Sequence, residues 1–251
     1  MYPIHCANCA ELVEAADTAL YKSKSQGRNM VSVYDTELLE FVPKDNYKLC
    51  VLLQAHDLPT IEALSGAIDA KLNFSPGHSK SIGKLASATA RKLGLSAADC
   101  AGIYLAALLR DLGQISISDT VINKKDNLSE EEMIALKEHS ARGHAIIQKA
   151  PRMSAVLPAI LHHHERYDGT GYPSGLAGEE IPLPARILAA ADAYQSMISK
   201  RPHRPAKTEE EAREELIKNS GTQFDPKVVK EMLSVVSKRR ANGSKKDYKA
   251  A

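Results

Sequence analysis

From residue 59 onward, apolar residues recur every three or four positions, which is the spacing of one face of an α-helix. Ile61, Leu64, Ile68 and Leu72 share such a face in the first predicted helix. Further helices are predicted over residues 97–112, 129–148, 155–164, 184–200, 209–218 and 226–236, and over a segment with Ile82, Leu85 and Ala86 that Gly94 closes. No strand-like alternation of useful length appears, so the pattern predicts an all-α multi-helix bundle.

The pattern differs before residue 59. Residues 11–24 have the spacing of an amphipathic helix, with Leu12, Ala16 and Leu20 on one face, and a short strand is predicted from Met30 to Val33. One helix and one strand cannot bury a core by themselves. We therefore expect an incomplete piece of a domain here, followed by a linker over residues 36–58.

The composition agrees with helix-on-helix packing, because aromatic residues make up only 5% of the chain and Trp is absent. The net charge of +2 is too small to indicate a nucleic acid polymer as partner, and the basic end of the chain is typical of a solvated, disordered tail over 239–251. The four cysteines suit a reducing compartment, and no apolar run approaches the ~18 residues that cross a membrane. We expect a cytoplasmic protein with no membrane segment within this chain.

The stretch from His162 to Pro173 is the first candidate for chemistry. Three consecutive histidines precede an acidic, glycine-rich turn that ends in Tyr172-Pro173. Histidine is the commonest metal-ligating side chain, so a helix end that carries metal ligands would have this form. A solvated helix end followed by a turn would have it too, because Asp-Gly and Gly-x-Pro sequences mark turns. The stretch alone leaves both interpretations open.

Six polar residues interrupt the predicted helices and together indicate a metal site. Asp111 ends a nearly all-apolar helix, and Asp192 lies in the middle of another. A carboxylate there is costly unless it is paired, hydrogen-bonded or bound to metal, whereas any single histidine is more often a satisfied core or surface residue. Histidine with aspartate suits a first-row transition metal, and a bridging aspartate suits a two-metal site for phosphoester hydrolysis. The six are His78, Asp111, His139, His163, His164 and Asp192.

Several segments closely resemble the HD-GYP family, bacterial phosphodiesterases that hydrolyse cyclic di-GMP. They are Gly77-His78-Ser79, Arg110-Asp111-Leu112-Gly113-Gln114, His139 with Gly143, His163-His164-Glu165, Gly171-Tyr172-Pro173, Asp192, Arg201-Pro202-His203-Arg204 and Gly221-Thr222-Gln223-Phe224-Asp225-Pro226. The resemblance covers about residues 59–236 and implies an HD-type helical domain over 59–238.

The resemblance also implies roles for these residues. The six polar residues take metal-ligand positions, and Asp111 bridges two metals, commonly iron or manganese, at the catalytic centre. Arg201 and Arg204 take positions that contact substrate phosphates, a role that suits the geometry of a guanidinium. Gly171, Tyr172 and Pro173 form a structural and partner-recognition surface, with GGDEF domains or other signalling proteins as expected partners.

A second resemblance concerns the N-terminal segment. The run Ala16-Asp17-Thr18-Ala19-Leu20-Tyr21-Lys22-Ser23-Lys24-Ser25-Gln26-Gly27-Arg28-Asn29 is similar to the last helix and turn of GGDEF domains, the family that makes cyclic di-GMP. It implies a C-terminal fragment of an α/β GGDEF domain over residues 1–35, and we expect the chain to be part of a longer protein. The family's Gly-Gly-Asp-Glu-Phe loop is absent from the sequence, so no cyclase activity is expected.

Two residues depart from the HD-GYP pattern. Arg110 replaces the histidine of the family's His-Asp pair, and a guanidinium has no lone pair for a metal. Gln114 replaces a lysine and removes a positive charge expected near a substrate phosphate. Asp111 and three histidines still suffice for one metal ion, so one ion rather than two is an alternative. In another, Arg110 pairs with Asp111 or Asp192 and replaces the missing metal charge.

Three functions remain open at this point. We favour an HD-GYP domain with impaired or lost hydrolysis of cyclic di-GMP, because an in-line attack would lack a second cation to activate water or stabilise the leaving oxygen. The alternatives are an active metal-dependent cyclic di-GMP phosphodiesterase and another HD-type nucleotide phosphohydrolase. Arg110 and Gln114 separate the first two, and the Gly-Tyr-Pro segment argues against the third.

Overall fold

The computed structural model of this protein describes residues 58–124, 126–148, 153–200 and 205–247, with the backbone alone over 238–247. These residues belong to the unit Val51–Ala251. Several predictions concern residues outside the described ranges: the GGDEF fragment over 1–35, the linker up to residue 57, Arg201, Arg204 and the last four residues of the tail.

Helices account for most of the described residues. They are α1 (Leu58–Lys71), α2 (His78–Lys92), α3 (Ala97–Leu109), α4 (Asp119–Ile122), α5 (Glu130–Lys137), α6 (His139–Ile147), α7 (Leu157–His162), α8 (Leu183–Ile198), α9 (Glu209–Lys218) and α10 (Pro226–Asp247). Short 3-10 helices lie at Leu112–Ser116, Ser154–Val156 and Gly178–Glu180.

The prediction of an all-α bundle is confirmed for the described part of the chain. An isolated β-bridge joins Ser220 and Phe224, but the described residues form no sheet. Within the same ranges, none of the helices combines the length and the apolar character that a bilayer crossing requires.

The centre of the bundle is α3, which packs against α2. Eight of its 13 residues are buried, as its nearly all-apolar sequence predicts. Ser96 caps its N-terminus, because Ser96 Oγ accepts a hydrogen bond from the backbone N–H of Asp99 at 3.1 Å. Ile82 and Leu85 of α2 pack into the same core. Residues 110 and 111, which follow α3 directly, are therefore carried into the interior.

The helix predicted over residues 129–148 is two helices. Its start is confirmed, because Ser129 and Glu132 form the predicted capping box. The helix breaks at Glu138, between α5 and α6. Just after the break, His139 Nδ1 lies 2.6 Å from the carbonyl oxygen of Leu136. A side chain thus takes a carbonyl that a continuous helix would pair with a backbone N–H.

Three other expectations need correction. The apolar pattern predicts Leu64 on the buried face of α1, but Leu64 is 38% exposed, because α1 turns Ser65 and Asp69 inward beside Ile61 and Ile68. The helix predicted over 97–112 ends three residues earlier, where the chain tightens into the first 3-10 helix. The backbone of α10 stays helical past residue 236 and past the predicted domain boundary at 238.

Candidate metal centre

A close backbone contact places Asp111 beside α6. The 3-10 helix that follows Asp111 packs against the start of α6, where Gly113 meets Gly143. A Cβ atom on Gly113 would collide with the carbonyl oxygen of His139 and the backbone nitrogen of Gly143. Because Gly113 has no side chain, the two segments approach closely, and Asp111 Oδ1 lies 3.7 Å from His139 Nε2.

Three imidazoles meet at one point of the structure. His163 and His164 follow α7, and His139 begins α6. Their ligand atoms all lie within 4.8 Å of one another. His139 Nε2 is 3.4 Å from His163 Nε2 and 3.2 Å from His164 Nε2. His139 and His163 are buried, whereas His164 is half-buried. We refer to these three residues as the histidine cluster.

Backbone carbonyls fix the tautomers of two members of the histidine cluster. His139 Nδ1 lies 2.6 Å from the oxygen of Leu136, and His163 Nδ1 lies 2.7 Å from the oxygen of Ile160. A carbonyl oxygen only accepts hydrogen bonds, so each Nδ1 carries the proton. In the neutral rings, both Nε2 atoms then present lone pairs to each other and cannot form a hydrogen bond between them. A shared cation would satisfy both, and the donor set therefore fits a metal ion.

The electrostatics of the site favour the neutral, ligand form of His163 and His164. Burial lowers the pKa of His163 well below its ordinary value, and the neighbouring imidazoles lower it further. Burial and His139 together lower the pKa of His164 to about 4. Both rings are therefore uncharged at neutral pH and need no deprotonation before they bind a metal.

Arg110 forms ion pairs with both aspartates of the predicted site. Its Nη2 atom lies 2.9 Å from Asp111 Oδ2, and its Nε atom lies 3.2 Å from Asp192 Oδ1. Only 1% of Arg110 is exposed. Burial works to lower the pKa of Arg110, but Asp111 and Asp192 outweigh it and raise that pKa above its ordinary value. The guanidinium is therefore a permanent positive charge inside the centre.

A third carboxylate, which the sequence reasoning missed, completes the surroundings of Arg110. Arg110 Nη1 donates to Ser79 Oγ at 2.8 Å, and Ser79 Oγ donates to Asp69 Oδ1 at 2.6 Å. Asp69 is 2% exposed. A signal was present, because Asp69 follows Ile61 by eight residues and Ser65 by four, which places it on the inward face of α1.

Asp111 uses its two oxygens differently. Oδ2 faces Arg110, while Oδ1 accepts a hydrogen bond from Gln114 Nε2 at 2.5 Å and lies near His139. Burial works to raise the pKa of Asp111, but the Arg110 guanidinium, the neighbouring imidazoles and the Gln114 hydrogen bond hold that pKa below its ordinary value. Asp111 is thus an ionised carboxylate with one oxygen turned toward the histidine cluster.

The structure places His78 differently from the other five predicted ligands. Its ring lies 4.4 Å from the ring of Phe74, between centroids, and its Nδ1 atom is 3.4 Å from Ser199 Oγ. Among the described residues, the group with metal-ligand spacing consists of the histidine cluster alone. Asp111 adjoins this cluster directly, and Asp192 is connected to it through Arg110.

The Gly-Tyr-Pro segment folds back over the histidine cluster. The Tyr172 ring stacks on the His164 ring, with centroids 4.8 Å apart, and Tyr172 N donates to His164 O at 3.2 Å. Gly171 makes this fold possible, because a Cβ atom there would collide with the backbone of Glu165. Glu165 Oε1 accepts a hydrogen bond from Ser174 N at 2.7 Å. The segment is therefore built into the wall of the site.

The site opens into a cavity of about 400 Å³. Half of the lining residues belong to the site just described: Arg110, Asp111, Gln114, His139, His164, Tyr172 and Asp192. The other half are mainly apolar, with Lys124 as the charged member: Leu72, Phe74, Val121, Ile122, Lys124, Leu128 and Leu136. Such a cavity suits a ligand with both an anionic group and a flat apolar face.

A model of the HD domain family matches residues 62–228, well over half of the chain. The chain belongs to the HD domain family. Asp111, the histidine cluster and the cavity all lie within the matched residues, so the site belongs to the HD domain itself.

Known relatives of this HD domain are phosphodiesterases by name. It is 36% identical over 183 residues to the cyclic di-GMP phosphodiesterase response regulator RpfG of Xanthomonas campestris pv. campestris, a match that covers 72% of this chain and 48% of that protein. It is also 36% identical over 160 residues to a cyclic di-GMP phosphodiesterase of Thermotoga maritima, with 63% and 44% covered. The chain spans about half the length of these curated relatives.

A solved structure supports the fold of the HD domain. The crystal structure of a cyclic GMP-AMP-specific phosphodiesterase of Vibrio cholerae matches with a TM-score of 0.58 and 24% identity, over 72% of this chain and 49% of that one.

Arg201 and Arg204, the predicted phosphate contacts, lie outside the described residues, so the structure does not place them.

Proposed function

We propose that this chain is an HD-GYP-type cyclic di-GMP signalling domain with a metal centre, in which hydrolysis is impaired or lost. The observation that carries the proposal is the pair of imidazole Nε2 atoms 3.4 Å apart, in rings whose Nδ1 atoms each lie against a backbone carbonyl oxygen. In the neutral rings neither Nε2 atom carries a proton, so both are available to a shared cation. The names of its relatives supply the substrate class, a cyclic dinucleotide.

The proposed metal ligands are the histidine cluster and Asp111, with His78 and Asp192 as further members of the predicted set. The family resemblance makes iron or manganese the expected metal. When bound, a divalent ion would supply Lewis acidity toward a phosphodiester oxygen. Asp111 is the residue we place at the reacting atoms, because one of its oxygens faces the cluster and stays ionised.

The other side chains of the cavity would bind and orient the nucleotide. Phe74 and Tyr172 add aromatic surface to the cavity lining that a base would contact, and the apolar lining residues would exclude water from it. Lys124 is available to a phosphate, although its Nζ atom pairs with Glu132 Oε2 at 2.5 Å. Arg201 and Arg204 are proposed as additional phosphate contacts on the strength of the resemblance alone.

Impaired hydrolysis follows from Arg110 and Gln114. Arg110 occupies Asp111 Oδ2 and Asp192 Oδ1, so neither oxygen is free to hold a second ion. Gln114 donates to Asp111 Oδ1 and brings no positive charge for a substrate phosphate. An in-line displacement would therefore lack part of the charge stabilisation that a two-ion site provides.

One alternative has support of its own. The histidine cluster is intact and adjoins the cavity through His139 and His164, so a one-metal centre with an open position could still hydrolyse the dinucleotide. The Gly171–Tyr172–Pro173 segment would in either case remain a surface for GGDEF domains or other signalling proteins. Pro173 is exposed there, and Lys137 Nζ lies 5.6 Å from the centroid of the Tyr172 ring.

Turnover measurements separate the two functions. Metal content and cyclic di-GMP hydrolysis should be measured for the wild-type chain, the double variant Arg110→His/Gln114→Lys, and His163→Ala as a metal-site control. We expect wild-type hydrolysis at the level of chelator-treated protein and a gain in the double variant. Hydrolysis by the wild type well above that level would reject the proposal of impaired hydrolysis and favour an active phosphodiesterase.

A further inference from the structure

Arg110 has the surroundings that a cation needs at the centre of the site. Its guanidinium contacts Asp111 and Asp192 directly, at 2.9 and 3.2 Å, and reaches Asp69 through Ser79. A further Nη1 hydrogen bond goes to the oxygen of Ala107 at 2.9 Å. Each of the three guanidinium nitrogens thus meets an acceptor, and Arg110 is 1% exposed. A second ion would have to displace the guanidinium from all of these partners.

The charge balance around Arg110 has room for one divalent ion. Asp69, Asp111, Asp192 and Arg110 together carry a net charge of −2 and are connected by the contacts just described. One divalent ion bound by the three imidazoles would cancel this charge. A second would leave a net positive charge in a buried site beside a guanidinium that offers no lone pair, an arrangement that desolvation makes costly.

The geometry points to Arg110 as a built-in cation that limits this centre to a single divalent metal ion. The histidine cluster and Asp111 Oδ1 would hold that ion, and Arg110 takes the place of a second one between Asp111 and Asp192. This inference rests on the proposed function only in requiring that the centre binds metal. It goes further in naming the residue that sets the number of ions.

Asp69 is the positioning residue of this arrangement. It touches neither the cluster nor the guanidinium directly, but accepts hydrogen bonds from Ser79 Oγ at 2.6 Å and Ser79 N at 3.2 Å. Those bonds orient Ser79 Oγ so that its lone pair receives Arg110 Nη1. Asp69 therefore holds Arg110 in place and contributes one of the three balancing negative charges.

The test counts metal ions rather than turnover. The full chain is loaded with excess Mn²⁺, free metal is removed, and manganese per chain is measured by elemental analysis and by titration calorimetry. We expect one ion per chain in the wild type and in Arg110→Lys, which keeps the charge. Arg110→His removes the permanent charge and adds a lone pair, so we expect two. Arg186→His is the matched control, because Arg186 also pairs with a buried aspartate, Asp225, at 2.6 Å, and should keep one.

The outcomes separate this inference from the proposed function. Two ions in the wild type would overturn the role of Arg110 and leave the metal centre standing. One ion in a folded Arg110→His variant would also overturn it. No ion in the wild type would overturn the metal centre itself. Electron paramagnetic resonance of Mn²⁺ bound to the wild type tests the inference without relying on a folded variant. A spectrum of isolated ions would support the inference, and a spectrum of a spin-coupled pair would reject it.

Discussion

Arg110 Nη2 lies 2.9 Å from Oδ2 of Asp111, the next residue along the chain. Two neighbours in sequence thus form an ion pair inside the centre, where the family resemblance leads one to expect two metal ligands. Both residues lie at the junction between the end of α3 at Leu109 and the 3-10 helix that begins at Leu112. The arginine at this junction gives the centre a fixed positive charge.

Removal of Arg110 should destabilise the fold strongly. Arg110→Met leaves Asp111 and Asp192 without their counter-charge, and breaking a buried ion pair on one side costs about 3–5 kcal/mol. Arg166→Met removes a partly exposed arginine, whose Nη2 atom pairs with Asp168 at 2.8 Å, and should cost less than about 1 kcal/mol. Urea unfolding of metal-free protein measures both. Equal losses for the two variants would contradict the buried role of Arg110.

Ser79 should matter far more than a similar serine on the same helix. Ser79→Ala removes one of the two acceptors of Arg110 Nη1 and the hydroxyl that donates to Asp69 Oδ1, so we expect a loss of about 1–3 kcal/mol. Ser81→Ala removes only a bond from Ser81 Oγ to Gly77 O and should stay within about 0.5 kcal/mol of the wild type. Thermal or urea unfolding of both variants checks the difference. A Ser81 effect as large as the Ser79 effect would argue against the Asp69–Ser79–Arg110 chain.

The close approach at Gly113 should be indispensable for the metal centre. Gly113→Ala places a methyl group against the carbonyl oxygen of His139, so we expect lost stability and weakened metal binding together. Gly102→Ala in α3 is the matched control, because the added Cβ would meet nothing within 4 Å beyond the adjoining backbone of its own helix, and it should stabilise the helix by about 0.5–1 kcal/mol. Unfolding and Mn²⁺ titration test both. Normal Mn²⁺ affinity in Gly113→Ala would refute this role.

Metal-free protein should lose stability as the pH falls from about 6.5 to about 4. Unfolded histidines take up protons near pH 6.5, whereas folded His164 has a pKa of about 4, so the unfolded state binds more protons across this window. The difference is worth about 3 kcal/mol for His164. His164→Gln should flatten the dependence, and His144→Gln, outside the cluster, should not. Unfolding in chelator at several pH values checks this; identical slopes for all three proteins would reject it.

Much of the fold could be predicted from the sequence, because local signals fixed it. The Ser129–Glu132 capping box depends only on two residues three positions apart. The nearly continuous apolar sequence of α3 predicts that this helix is buried. The prediction that Leu64 is buried was wrong, because apolar spacing identifies a face of the helix but not which edge of that face meets the core. The break at Glu138 was missed because it depends on a side-chain bond of His139 to a backbone oxygen.

The site could be predicted in part. The pairing of Arg110 with an aspartate was foreseen as an alternative, and the structure forms the pair with both candidates. Asp69 was not predicted as part of the site, because it contacts Ser79, ten residues along the chain, and reaches the more distant Arg110 only through Ser79. Contacts between distant segments, such as Gly113 against His139, leave no periodic mark in the sequence.

The stacking of Tyr172 on His164 gives the centre an optical readout of its own. The chain contains no Trp, so its near-ultraviolet emission comes from tyrosine alone. Any ion that binds His164 sits next to the stacked phenol ring and alters its excited state. Tyrosine fluorescence, with Tyr172→Phe as the blank, would then follow occupancy of the centre in real time without a label.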